Sequence, residues 1–206
     1  MIDIKVLLKW GATYKKVEAN ETIFFEGQQC TYYFQVISGS VKWMNIDEQG
    51  RECIHDIVED GESFGEFPLF DDGPYAASAV ANSDTLLIRL YKSNFLDLLK
   101  ENAEIQFAFT KLFIRRLRFK YSVLTSMASN CPETRIINLI NYLKTENRSF
   151  CPDCDKLKLT RKQIADMTGL RVETVIRTMR NMHDKGELQI SRGKVFCKEK
   201  IVMLSN

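Results

Sequence analysis

The chain has 206 residues, enough for one or two domains with a sizeable core, and its net charge at pH 7 is only +2. Residues 132–206 contain 15 Lys and Arg against 9 Asp and Glu, a net +6, whereas residues 1–131 have a net −4, so only the second part favours a nucleic-acid partner. No run of about eighteen apolar residues is present, and the amino terminus lacks the apolar segment and cleavage site of a signal peptide. We therefore expect a cytoplasmic protein without a membrane span, whose six cysteines are mainly reduced thiols.

The first part of the chain is predicted to be a β-domain. An amphipathic helix over residues 2–10 is followed by a period of two from Lys16 onward. Strands separated by glycine turns are predicted over residues 21–27, 32–39, 40–46, 52–58, 77–81 and 85–90, with a loop over 70–74. Short strands at this spacing are typical of a β-sandwich or β-roll, and we assign residues 1–101 to this domain.

After Lys92 the period becomes helical. A short helix is predicted over residues 94–100 and a long one over 103–129, which contains no Pro or Gly. Its apolar residues form two sets, Ile105, Phe109, Leu112, Phe119 and Val123, and Phe113, Leu117, Leu124 and Met127. Two apolar faces need two partners, which we expect to be the β-domain and the same helix of a second subunit in a coiled coil. Burial of the helix inside one monomer is the alternative. We assign residues 102–131 to a dimerisation helix and hinge, and Pro132 marks the hinge into the last domain.

Residues 159–185 predict two short helices joined by a tight turn. Thr160 and Gln163 have the spacing of a capping box, which places the start of the first helix. Gly169 ends that helix, because a residue without Cβ can take the left-handed conformation. A second helix is predicted from about Arg171, with a buried stripe formed by Val172, Val175, Ile176, Met179 and Met182.

The opposite face of the second helix carries Arg171, Glu173, Thr174, Arg177 and Arg180. Glu can accept a hydrogen bond from cytosine N4, and Arg can donate two to guanine O6 and N7, so this face suits the major groove of DNA. Glu173 and Arg177 are four residues apart and address neighbouring base pairs in that interpretation. An ordinary surface ion pair between them is the alternative.

A two-stranded wing is predicted after this helix. Residues 186–191 alternate into a strand, the segment Arg192-Gly193-Lys194 forms a turn, and residues 195–197 return as a second strand. The basic turn is expected to lie beside phosphate, with Thr160 as a further DNA contact. Residues 132–206 are thus predicted to be a winged helix-turn-helix domain.

With these features the chain resembles the Crp/Fnr superfamily of bacterial transcription regulators over nearly its whole length. The resemblance rests on YYFQVISGSVK at residues 32–42, on Phe64-Gly65-Glu66, on the long helix, and on Glu173, Thr174 and Arg177. It implies an α+β fold: an N-terminal cyclic-nucleotide-binding-like β-roll, a long dimerisation helix and a C-terminal winged helix-turn-helix. It also implies a homodimer on double-stranded DNA, RNA polymerase as a partner, and a half-site like TGTGA or TTGAT. Val172 and Ile176 stand where two branches of the family have arginine and serine, so the half-site is expected to differ from both.

The effector site departs from the family pattern. In cyclic-nucleotide binders of the family, Gly and Glu of the phosphate cassette approach the nucleotide and an Arg neutralises its phosphate. Gly65 and Glu66 remain here, but Tyr75 and Ala76 stand where Arg and Ser are expected. A phenol carries no charge, so the phosphate would be buried without a counter-ion, and we predict that cyclic AMP does not bind in the usual way. By resemblance this degenerate pocket also includes Lys120 and Tyr121.

Cysteine and histidine positions bear on cofactors. No cysteine precedes Cys30, so the amino-terminal iron–sulfur centre of the oxygen-responsive branch is not expected. His55 and His183 are single histidines, so no haem is expected either. Cys151-Pro152-Asp153-Cys154 is a CxxC motif, which can bind zinc with further ligands or cycle between dithiol and disulfide. Without a second CxxC, a loop with two free thiols is the main expectation, while a redox switch and structural zinc stay open.

The sequence thus predicts a homodimeric, sequence-specific DNA-binding regulator and not an enzyme, because no cluster of acid, base and nucleophile is evident. Two alternatives stay open. The β-roll could be a sensor module that regulates a protein partner, or the regulator could be effector-independent and respond to the thiol state of Cys151 and Cys154.

Overall fold

The computed structural model of the chain describes residues 2–128, 131–197 and 201, with side chains described as far as residue 125 in the first of these segments. The chain divides into two compact units, Met1–Phe113 and Ile114–Asn206. Among the described residues, no helix is long and apolar enough to cross a bilayer.

The first unit is built on two antiparallel four-stranded sheets. One contains, in spatial order, β1 (Thr13–Val17), β8 (Thr85–Tyr91), β3 (Tyr32–Ser38) and β6 (Ser63–Phe64). The other contains β2 (Thr22–Phe24), β7 (Ser78–Ala81), β4 (Val41–Ile46) and β5 (Glu52–Val58). Alternate residues of both sheets enclose one apolar core, which includes Phe34, Val36 and Leu87 from the first sheet and Phe24, Val41 and Ala79 from the second. The predicted β-roll is confirmed.

Helices cover a second core on the outside of the roll. Helix α1 (Ile4–Lys9) is capped by Asp3, whose carboxylate accepts a hydrogen bond from the backbone N–H of Lys5 at 2.7 Å. Helix α3 (Lys92–Glu101) buries Phe95 and Leu98 in this core, together with Tyr33 of β3.

The loop predicted over residues 70–74 is partly wrong, because helix α2 (Phe67–Asp71) includes Phe70 and Asp71. Pro68 in the first turn favours a helix start, and Asp72, with φ of 58°, ends it in the left-handed conformation. The sequence did not predict this single helical turn, because the residues that follow it, Asp72, Gly73 and Pro74, are typical of loops.

The long helix α4 (Ala103–Ala128) begins in the first unit and continues into the second. As predicted, Ile105, Phe109 and Leu112 pack on the core of the first unit. Phe113 was predicted on the other face, but its ring lies 5.1 Å from that of Phe70 and so joins the same core. The reason is helical geometry: Phe113 is four residues from Phe109 and therefore shares its face.

The other face of α4 remains open to solvent. Its large apolar side chains are exposed in the single chain: Phe107, Ile114, Leu117, Tyr121 and Leu124. This exposure argues against a helix buried within one monomer. The Met127 side chain and Ser129, both named in the prediction, lie outside the described part.

Among its described residues, the second unit contains the end of α4, three further helices and the two strands of the predicted wing. These are α5 (Pro132–Thr145), α6 (Arg161–Thr168), α7 (Val172–Asp184), β9 (Gln189–Ser191) and β10 (Lys194–Phe196). Phe119 of α4 stacks on Tyr142 of α5, with 3.7 Å between the ring centroids. The core joins all three helices through Ile136, Ile140, Ile164, Val175 and Met179.

Candidate nucleic-acid interface and effector pocket

The turn between α6 and α7 forms as its sequence predicts. The backbone N–H of Gln163 donates to Thr160 Oγ1 at 3.1 Å, and the backbone N–H of Thr160 donates to Gln163 Oε1 at 2.9 Å. Gly169 takes φ of 66° and ends α6. Thr160 is exposed, and its hydroxyl still has a proton to donate. The capping box therefore fixes the start of α6 and leaves a polar group on its surface.

Helix α7 buries one stripe and exposes the other. Val175, Met179 and Met182 are fully buried. Ile176 was predicted in this stripe, but it is 43% exposed, so that assignment is wrong. Since successive helical residues turn by about 100°, Ile176 is turned away from Val175 and lies at the edge of the face that carries Glu173 and Arg180.

The exposed face carries the side chains predicted for base contact. Arg171, Glu173, Arg177 and Arg180 are exposed, and Thr174 is half-buried. Within the part of the chain that the structure describes, no hydrogen bond or ion pair joins Glu173 to Arg177. The alternative of a simple surface ion pair is therefore not what the structure contains. Both groups are available to an external partner.

The position of α7 is held at its far end by a charged pair. Lys185 Nζ lies 2.8 Å from one carboxylate oxygen of Glu133 at the start of α5 and 3.0 Å from the other. This carboxylate raises the pKa of Lys185. The pair ties α7 to α5, and sequence reasoning did not identify it because the partners are distant in the chain.

The wing is a two-residue hairpin. Arg192 and Gly193 have φ of 49° and 74°, the positive values that a tight turn matching the twist of its strands requires. Lys194 was predicted in this turn, but it opens β10 and pairs with Ser191. Arg192 and Lys194 are both exposed, while Val195 anchors the hairpin in the core. The side chains of Arg192 and Lys194 are thus exposed on a hairpin that the buried Val195 holds in place.

Tyr75, one of the residues predicted for the effector site, packs among aromatic side chains of the β-roll. The Tyr75 ring is 4% exposed and stacks on Phe24, with ring centroids 3.7 Å apart and 8° between the planes. Phe34 and Phe64 complete the cluster, with their own centroids 5.5 Å apart. The Tyr75 hydroxyl donates to Cys30 Sγ at 3.2 Å, and burial raises the pKa of both groups. The phenol is therefore neutral and directed at a thiol.

Gly65 and Glu66 are also engaged inside the protein. Gly65 has φ of 69°, and a Cβ there would lie 2.6 Å from the Phe24 ring. The ring of Phe24 therefore occupies the space that a side chain at position 65 would need. Glu66 is fully buried and accepts a hydrogen bond from the Ser63 hydroxyl. Ala76 is exposed, and its carbonyl accepts from Asn45 Nδ2 at 3.1 Å.

The two remaining pocket candidates lie on α4 in the second unit. Lys120 is half-buried, with Nζ 5.9 Å from the centroid of the Phe119 ring. Tyr121 is exposed and belongs to the open apolar face of the helix. The structure therefore brings Gly65, Glu66 and Tyr75 together, whereas Lys120 and Tyr121 belong to the other compact unit.

The histidines and cysteines lie in separate elements, except for Cys151 and Cys154, which share a turn. His183 Nδ1 lies 3.3 Å from the Leu188 carbonyl and 3.4 Å from the Ile190 N–H, so this ring packs against the start of the wing. Cys151 and Cys154 lie in a turn near the surface. Among the described residues, no group of three or more His, Cys, Asp or Glu could hold a metal ion.

A β-roll, a long helix and a winged helix-turn-helix define a DNA-binding transcription regulator with a sensor-type domain. Residues 14–102 match the family model of the cyclic nucleotide-binding domain, and residues 134–199 match that of the Crp-like helix-turn-helix domain. The chain is 30% identical over 184 residues to the cAMP-activated global transcriptional regulator CRP of Haemophilus influenzae, covering 87% of this chain and 82% of that protein. It is also 27% identical over 177 residues to the cyclic AMP receptor protein of Thermus thermophilus, covering 86% and 80%. The chain belongs to the Crp/Fnr family of transcription regulators.

Solved structures agree on the fold. FixK2 from Bradyrhizobium japonicum superposes with a TM-score of 0.76 at 21% identity, covering 92% of this chain and 93% of that one. The c-di-GMP-responsive global regulator CLP of Xanthomonas campestris gives 0.74 at 20% identity, covering 95% and 98%. At these identities the likeness concerns the fold alone.

Sequence reasoning missed several residues of these sites. Phe24 and Cys30 were not linked to Tyr75, because contacts between distant strands leave no local pattern. Phe107, Ile114 and Tyr121 were not assigned to the open face of α4, although their spacing of seven residues is a signal that could have found them.

Proposed function

We propose that the protein is a homodimeric, sequence-specific DNA-binding regulator that reads an inverted repeat without the usual cyclic-AMP phosphate site. The proposal rests mainly on the exposed face of α7, which carries Glu173, Arg177 and Arg180. In the described part of the chain, no ion pair joins Glu173 to Arg177. Arg177 is suited to guanine and Glu173 to cytosine in the major groove. Arg192 and Lys194 of the wing are suited to the phosphates on either side.

Dimerisation is supported by the open face of α4. Phe107, Ile114 and Tyr121 repeat every seven residues, and Leu117 and Leu124 stand three residues after Ile114 and Tyr121. Apolar residues at alternating steps of three and four form the seam of a two-stranded coiled coil. Such a seam left open to water is unfavourable, and a second copy of the helix would cover it. A two-fold dimer would present two copies of α7 to an inverted repeat.

The altered effector response is supported by the aromatic cluster. A relative described as cAMP-activated matches most of this chain, but the family resemblance places Tyr75 where the cassette arginine is expected, and its ring stacks on Phe24. A cyclic nucleotide would have to displace buried rings and lose the charge that offsets its phosphate. DNA binding is then controlled by another ligand, by the thiol state of Cys151 and Cys154, or by the amount of protein.

Three further assignments follow from family membership. We place the protein in the cytoplasm with its DNA, propose RNA polymerase as a protein partner, and assign it no enzymatic activity. Iron–sulfur, haem and metal cofactors are not part of this proposal.

The test is DNA affinity measured by fluorescence anisotropy over a range of salt, with and without cyclic AMP. We expect tight binding to a selected site, a steep loss with salt, and no effect of cyclic AMP. Binding that requires cyclic AMP would refute the proposal for the pocket. Absence of salt-dependent binding would refute the regulator itself and favour a sensor module that acts on a protein partner.

A further inference from the structure

A hairpin between α5 and α6 carries the CxxC motif at its tip. The Lys158 N–H donates to the Ser149 carbonyl at 2.8 Å, and the Cys151 N–H donates to the Lys156 carbonyl at 2.9 Å. The Asp155 N–H then donates to the Cys151 carbonyl at 3.0 Å, with Asp155 at φ of 54°. These bonds close a tight turn around residues 151–155. The backbone therefore determines the separation of the two cysteines.

The turn brings the two thiols together. Cys154 is exposed, Cys151 is half-buried, and both lie within the turn that the backbone hydrogen bond from Asp155 to Cys151 closes. The neighbouring Cys154 side chain lowers the pKa of Cys151, helped by the backbone N–H of Asp153. Residues three apart in a tight turn have Cα atoms within about 7 Å, a separation that a disulfide can span.

The same hairpin is joined edge to edge with the wing. The Leu157 N–H donates to the Val195 carbonyl at 2.9 Å, and the Cys197 N–H donates to the Asp155 carbonyl at 3.1 Å. Lys156 also forms a β-bridge with Phe196. The hairpin is thus an additional edge of the sheet made by β9 and β10. The CxxC hairpin is therefore hydrogen-bonded directly to the strand that begins with Lys194.

Other partners for these thiols are disfavoured by the structure. Cys197 is buried in the adjoining strand, and burial raises its pKa, which disfavours the reactive thiolate. A zinc site would need further ligands, and the described residues contain no such cluster of His, Cys, Asp or Glu around the CxxC turn.

We propose that Cys151 and Cys154 form a reversible disulfide that repositions the wing and thereby changes how strongly Arg192 and Lys194 bind DNA phosphate. This inference rests on the proposed DNA-binding function and adds a regulatory chemistry to it. The dithiol state keeps the hairpin hydrogen bonds described above. The disulfide shortens the distance between the two sulfur atoms to about 2 Å and alters the turn.

The oxidant is a low-molecular-weight disulfide of the glutathione type. The Cys151 thiolate attacks one of its sulfur atoms, the S–S bond breaks, and the leaving thiolate takes up the proton that Cys151 lost. Cys154 then attacks the Cys151 sulfur of the mixed disulfide, and the second small thiol leaves with the proton of Cys154. The two protein sulfurs are oxidised and the small disulfide is reduced to two thiols. Excess reduced thiol reverses both steps.

The experiment uses the full chain equilibrated in mixtures of oxidised and reduced glutathione. Mass spectrometry of the intact protein, followed by peptide mapping, measures the fraction with a Cys151–Cys154 bond. DNA affinity and its salt dependence are then measured on the same samples. Cys151→Ser combined with Cys154→Ser is the test variant. Cys53→Ser combined with Cys131→Ser is the matched control, because it removes two exposed thiols elsewhere and keeps the CxxC pair.

We expect the disulfide in the native and control proteins, with a change in affinity of roughly tenfold and a salt slope that flattens by about one unit for each phosphate that the wing no longer binds. The test variant should bind equally in all mixtures. The inference is overturned if no Cys151–Cys154 bond forms, or if it forms and leaves affinity and slope unchanged. If the reduced protein does not bind DNA, the proposed function fails and the wing mechanism fails with it, whereas the mass measurement still reports the thiol chemistry.

Discussion

The open face of α4 provides the sharpest structural prediction: replacing Leu117 and Leu124 together by alanine should abolish the proposed dimer. These side chains are 52% and 63% exposed in the single chain, so more than half of each is available for burial. Complete burial of a leucine contributes about 1.5–3 kcal/mol, so covering this exposed part contributes roughly 1–1.5 kcal/mol per side chain.

A two-fold interface contains each leucine twice, so the four side chains contribute roughly 4–6 kcal/mol, of which alanine retains about a third. The double substitution should therefore cost roughly 3–4 kcal/mol, which raises the dissociation constant of the dimer by about two to three orders of magnitude. Alanine has the highest helix propensity, so α4 itself should not be weakened. The measurement is sedimentation equilibrium over a wide range of protein concentration, with circular dichroism to check the helix content.

Ile46→Ala is the matched control, because Ile46 is a similarly large apolar side chain, 60% exposed, that belongs to strand β4 and not to the helix. It should leave the dimer unchanged. If the double variant associates as tightly as the control, or if the native protein is monomeric throughout, the coiled-coil account of this face is wrong.

Three further predictions concern DNA and the pocket. Arg177→Ala should cost about 1–3 kcal/mol on the selected site and less on random DNA in competition binding, and equal losses on both would remove it from base reading. Lys194→Ala should weaken binding to every sequence and flatten the salt slope by about one unit, whereas an unchanged slope would exclude a phosphate contact. Calorimetry with cyclic AMP should give no saturable heat for the native protein, and Tyr75→Arg, which restores the missing charge, should give some; saturable heat from the native protein would contradict the pocket assignment.

The DNA-binding half was predictable because its signals are local. Thr160 with Gln163 and the glycine at position 169 specify the ends of α6 through hydrogen bonds and backbone conformation within a few residues. The stripe of α7 followed from its period, with an error only at its edge, where Ile176 is turned toward solvent. Helix edges are ambiguous because one residue of rotation separates buried from exposed.

The sensor half was predictable in outline only. Alternating residues indicated the strands, but nothing in the segment around Tyr75 shows that its ring meets Phe24 from a distant strand. The sequence resemblance predicted Tyr75 where the family has an arginine, whereas the packing of Tyr75 among aromatic rings depends on long-range contacts. The hydrogen bonds that join the CxxC hairpin to the wing were hidden for the same reason.

Selection of binding sites from random duplex DNA by the reduced full-length protein, with and without cyclic AMP, tests the central claim most directly. The account predicts an inverted repeat whose half-sites lie about one helical turn apart, recovered equally in both conditions. Recovery only with cyclic AMP would contradict the assignment of the pocket. Recovery of no common sequence in either condition would contradict the assignment of α7 as a base-reading helix.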